Sequence, residues 1–135
     1  MIVLIVEDNA LVAFMIEDAL ASSGHTVVGP APRADTALKL AEEARPDLAL
    51  IDIDLDGERS GIALARELRD RWKIPTLFAT GQSDEAHGHA DAALGVLTKP
   101  FSPTTVASAV AVIDRLLQGD RAPNIPPGLH LFGTG

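Results

Sequence analysis

The residues of this chain best equipped for chemistry are carboxylates set at the ends of apolar runs. Glu7 and Asp8 follow the run Met1 to Val6, and Asp52 closes the run that begins at Leu48. Asp54, Asp56 and Glu58 lie just beyond Asp52. A hydroxyl, Thr80, ends the run from Thr76, and Lys99, followed by Pro100, ends the run from Gly95. Carboxylates drawn within a few ångströms of one another repel unless a proton or cation joins them. A hard divalent ion such as Mg²⁺, which prefers oxygen ligands, meets that need. The same residue types have a duller use, since an acid at a helix start can simply cap it and favour its dipole.

For these residues to meet, the runs before them must be strands ending at one edge of a single sheet. The periodicity fits. Short continuous apolar runs alternate with helical spacing, as in Val12, Met15, Ile16, Ala19 and Leu20, and again in Ala34, Ala37, Leu38 and Ala41. Further helices are predicted from Ile62 to Trp72 and, with Ser102 and Pro103 as cap and first-turn signals, up to Leu117. Residues 84–93 read as a weak, polar, Gly-interrupted helix, short or frayed. The order is β-α repeated five times, which predicts an α/β fold with a doubly wound five-stranded parallel sheet. Strands without polar alternation agree, because helices cover both faces. With the strand order 2-1-3-4-5, strands 1 and 3 are neighbours and their terminal carboxylates converge at the switch point, where such sheets bind ligands.

Composition narrows the function classes. The 135 residues suit one domain, and 47% hydrophobic with 22% charged residues reads as globular. No cysteine is present, which excludes disulfides, thiolate metal sites and a Cys nucleophile. A net charge of −8 argues against direct nucleic-acid binding. No apolar run is long enough for a membrane span and no signal-peptide pattern begins the chain, so a cytoplasmic location is expected. Residues 1–118 are expected to form the domain. Residues 119–135, with four Gly and three Pro, are expected to be a flexible tail.

Glu7-Asp8, Asp52, Thr80 and Lys99-Pro100, in that order on successive β-α units, resemble the receiver domain of two-component response regulators. The resemblance covers residues 1 to about 118. It implies a flavodoxin-like (βα)5 fold in which Asp52 accepts a phosphoryl group from a phosphohistidine on a sensor histidine kinase or histidine phosphotransferase. It further implies that Asp8 and Asp52 ligate Mg²⁺, with Glu7 acting through water and the Asp54 backbone carbonyl completing the set. Lys99 and Thr80 would hold phosphoryl oxygens, and a cis peptide bond before Pro100 would aim the lysine. The chemistry is sound on its own terms: a carboxylate attacks phosphorus to give a labile mixed anhydride. Phosphoryl transfer then needs only positioning and charge neutralisation.

The pattern departs from the family at Val96, where receivers commonly carry an aromatic residue three positions before the lysine. Phe78-Ala79-Thr80-Gly81 is similar to a subgroup of stand-alone receivers named for that motif, although Gln82 and Ser83 break its continuation. The expected function is a single-domain response regulator, a phosphoacceptor and not a turnover enzyme. It would signal through contact with a downstream protein or drain phosphoryl groups as a sink, its output depending on order in residues 82–96. The competing readings are a phosphorylation-independent adaptor and a haloacid-dehalogenase-type phosphatase, whose nucleophile motif Asp52-Ile-Asp54 resembles. Phe14, Trp72 and Phe101 are expected in packing. His87 and His89, with Arg66, Arg69 and Arg71, are expected on a solvated surface.

Overall fold

A computed structural model describes residues 1–55, 60–81, 86, 88–121 and 124–132. Its strands are β1 (Ile2–Val6), β2 (Thr26–Ala31), β3 (Leu48–Asp52), β4 (Thr76–Thr80), β5 (Gly95–Thr98) and β6 (Leu129–Leu131). The helices are α1 (Ala10–Ser22), α2 (Ala34–Ala44), α3 (Ser60–Trp72) and α4 (Pro103–Leu117). The sheet order is β2-β1-β3-β4-β5-β6, with the first five strands parallel and β6 antiparallel. The predicted 2-1-3-4-5 order is therefore present, extended by one strand.

Successive side chains of a strand point to opposite faces, and here each face meets its own core. Leu4, Val6, Ala49, Ile51, Phe78 and Val96 pack beneath α2 and α3. Val3, Ile5, Leu48, Leu50, Leu77 and Leu97 pack beneath α1 and α4. Phe78 is fully buried at the centre of the first core. Truncating it to Ala would cost about 3–5 kcal/mol from lost transfer energy and the cavity left behind. Helix starts follow the residues present. The Asn9 Oδ1 accepts from the Leu11 and Val12 N–H groups at 3.0 and 3.1 Å, and the Ser102 Oγ accepts from Thr105 at 3.1 Å ahead of Pro103. These two caps anchor the helices directly after β1 and β5, at the edge where the carboxylates and lysine emerge.

Three expectations need correction. The segment read as a flexible tail contains β6, which is paired to β5 because Leu129 is buried among Leu97 and Val112. Phe14 is 67% exposed, standing outward from α1 while Ala13, Ile16, Ala19 and Leu20 face the core. Arg66 and Arg69 are not merely solvated. Arg66 bonds the Asp91 carboxylate at 3.1 Å and Arg69 the Asp91 carbonyl at 2.9 Å, tying α3 to a single 3-10 turn, Ala90–Ala92. Of the weak helix expected over 84–93, residues 84, 85 and 87 lie outside the described residues, Ala86 is helical, and the 3-10 turn follows it. No helix among the described residues is long and apolar enough to cross a membrane.

Candidate functional site

Strand register builds the site. Val6 pairs with Ile51, so the chain leaves β1 at Glu7 level with Asp52 on β3. Thr80 pairs with Thr98, which puts Lys99 one residue past the end of β5. The Lys99 N–H donates to the Thr80 carbonyl at 2.8 Å, and the Lys99–Pro100 peptide bond is cis. From there the lysine side chain crosses the ends of β4 and β3. Its Nζ lies 2.7 Å from Glu7 Oε1 and 3.4 Å from Asp52 Oδ2.

Glu7, Asp8 and Asp52 each offer a carboxylate oxygen, and these oxygens lie within 4.8 Å of one another. Glu7 is only 4% exposed and Asp52 8%, while Asp8 is exposed. The second Glu7 oxygen accepts from the Asn9 N–H at 3.0 Å, and Asp52 Oδ1 accepts from the Asp54 N–H at 3.1 Å. Burial pushes the Glu7 carboxyl above its ordinary value, helped by the charge of Asp52 and opposed by its bonds from Lys99 and Asn9. Burial also acts to lower the Lys99 ammonium. It is outweighed by the bond and charge of Glu7 together with the charge of Asp52, so the net displacement is upward. A lysine so held remains cationic.

The three converging ligand atoms are all hard carboxylate oxygens. That donor set suits Mg²⁺ and not a soft metal. Thr80, 1% exposed, stands beside it at the end of β4. Val96, where an aromatic residue is common in receivers, is wholly buried in the core under α2 and α3. Asp56 and Glu58 lie outside the described residues, as do 82–85.

Sequence reasoning missed two contributors. A Cβ on Gly61 would collide with the Asp52 carbonyl and stand 2.8 Å from Ile53 Cα, so α3 starts against the backbone of Asp52 itself only because this residue is glycine. The visible signal was a glycine directly after the acidic turn. The second is Gly128, whose carbonyl accepts from the Thr98 N–H at 2.9 Å next to Lys99. Composition had placed it in a tail.

The family model for the response regulator receiver domain matches residues 3–111. The chain belongs to this family. Receivers are signalling domains that work with histidine kinases, and they bind Mg²⁺ at an acidic pocket of this kind. Among curated relatives, the receiver is 32% identical over 111 residues to the phyllosphere-induced regulator PhyR of Methylorubrum extorquens, covering 81% of this chain and 42% of that protein. It is 35% identical over 111 residues to the transcriptional regulatory protein PdtaR of Mycobacterium tuberculosis, covering 80% and 54%. The chain thus spans about half the length of the curated relatives it matches. The BeF3-activated receiver domain of RstA from Klebsiella pneumoniae superposes with a TM-score of 0.73 at 30% identity, covering 87% of this chain and 99% of that one.

Proposed function

We propose that this receiver accepts a phosphoryl group on Asp52 from a phosphohistidine of a sensor kinase or histidine phosphotransferase. One observation carries the reading. The Lys99 ammonium reaches both Glu7 and Asp52, so a single cation already spans the place where phosphoryl charge would arrive. An Asp52 carboxylate oxygen attacks phosphorus, a P–O bond forms, the P–N bond breaks, and the electron pair returns to the departing imidazole nitrogen. Lys99 exchanges its Glu7 partner for a phosphoryl oxygen, and the Thr80 hydroxyl donates to another. Asp8, Asp52 and the Asp54 carbonyl would hold Mg²⁺, with Glu7 through water, and the bound ion neutralises charge on the transferred oxygens. Pro100 holds the turn that aims the lysine.

The added charge, roughly −1.5 to −2 by analogy with other phospho-residues, enters a site already rich in acid. Thr80 and Lys99 must tighten onto it, and that movement is the signal. It is read by protein contact or spent as a phosphate sink, in the cytoplasm. The test is incubation with a small acyl phosphate and Mg²⁺ followed by intact mass. A single phosphoryl adduct, absent in Asp52→Asn and reduced without Mg²⁺, is expected; a phosphorylation-independent adaptor shows none. An adduct retained by Asp52→Asn moves the acceptor elsewhere.

A further inference from the structure

The C-terminal segment is fitted to the β5 edge more closely than a chance contact requires. β6 pairs Leu131 with Gly95, His130 with Val96 and Leu129 with Leu97. Its two ends are clipped: Thr98 N–H donates to the Gly128 carbonyl at 2.9 Å, and Phe132 N–H to the Leu94 carbonyl at 2.8 Å. Leu129 enters one core and Phe132 packs on the other. A Cβ at Gly95 would lie 2.5 Å from the His130 carbonyl oxygen and 3.2 Å from Leu131 Cα. Gly95 does not have a left-handed backbone, so its lack of a side chain serves the passage of β6 and not a turn. Gly128, at φ +90, does have one, and it redirects the chain after Pro126-Pro127 into the strand.

The upper clip touches the site. Gly128 is bonded to Thr98, Thr98 is the register partner of Thr80, and Lys99 N–H is bonded to the Thr80 carbonyl. The Thr98 Oγ1 is buried with no hydrogen-bond partner among the described residues, so its side chain adds no second tie. β6 itself is three residues long with two of them exposed. A strand held so briefly opens at low cost, and it opens first where its end clip is disturbed.

We propose that residues 126–132 are a latch on the β5 edge, closed at rest and released when Lys99 and Thr80 are drawn toward a phosphoryl group on Asp52. Release bares the backbone N–H and C=O groups of Leu94 to Thr98, a row able to pair with another strand. This rests on the phosphoacceptor reading, and the test separates the two.

Amide exchange at Thr98 and Phe132 is followed in the whole chain, with Leu50 as internal reference. In protein shown by intact mass to carry the phosphoryl group, exchange at Thr98 and Phe132 is expected to quicken roughly tenfold while Leu50 is unchanged. No change with the adduct present overturns the latch and leaves phosphorylation standing. If no adduct forms, the phosphoacceptor reading falls and Lys99→Met decides. Faster exchange at the same two amides keeps the link between site and latch, and none ends it. Gly95→Ala, which leaves the site residues in place, should open the latch unphosphorylated. By reciprocity it should raise the affinity for beryllofluoride about fivefold or more. Slow Phe132 exchange in that variant, or unchanged affinity despite fast exchange, contradicts the proposal.

Discussion

Lys99 is the residue on which the site balances. Its partner Glu7 is nearly inaccessible to water, so removing the ammonium leaves a carboxylate buried beside Asp52 without the cation that bonds it. Lys99→Met should destabilise the protein by about 2 kcal/mol, less than a fully buried pair because a quarter of the lysine still meets solvent. Adding Glu7→Gln should recover most of that in urea unfolding. Equal stability of the single and double variants would contradict the pairing. His25 gives a second test. Burial, then the nearby Met1 ammonium, hold its imidazole below the ordinary value of 6.5. The unfolded chain therefore takes up this proton first as pH falls. The His25 contribution to stability is present above 6.5 and is lost as pH drops through the lower folded value. A urea midpoint that declines below that pH, and declines less in His25→Asn, is expected. At this scale the sequence was informative, because Asp52 and Thr80 each close a strand and Glu7 and Lys99 each directly follow one. The hydrogen-bond partners were not legible, since they depend on register between distant strands.

The elements owe their placement to small residues as much as to apolar ones. α3 begins against the end of β3 only because Gly61 has no side chain. Gly61→Ala should cost about 1–3 kcal/mol by overpacking and slow phosphorylation by displacing Asp52, measured by unfolding and by adduct formation over time. Normal stability with normal kinetics would show that this approach has no role. The five parallel strands and four helices were readable, because continuous apolar runs and helical spacing alternate with clear stops such as Pro46 and Gly81. β6 was not. Leu129 to Phe132 is too short to show a period, and the Gly and Pro around it read as disorder. What makes it a strand is the space over Gly95, a property of its neighbour. Phe14 deceived in the opposite way, an aromatic residue in a helical pattern that the helix turns outward.

The net charge of −8 gains a location at the scale of the whole molecule. Of the 19 acidic residues, Glu7, Asp8 and Asp52 converge on one pocket, where Lys99 pairs with Glu7 and Asp52. A cation bound there favours the folded chain alone, since unfolding scatters its ligands along 45 residues of sequence from Glu7 to Asp52. Mg²⁺ at a hundred times its Kd should therefore add ~2.7 kcal/mol to unfolding stability, and the gain should vanish in Asp52→Asn with Asp8→Asn. A gain that persists in that variant would place the ion elsewhere. Phosphoryl transfer to Asp52 comes first in the proposed sequence of events. Its most direct test is the intact mass after exposure to a small acyl phosphate with Mg²⁺. One phosphoryl group on the wild-type chain and none on Asp52→Asn is the predicted result; an unmodified wild type, or a modified Asp52→Asn, would contradict it.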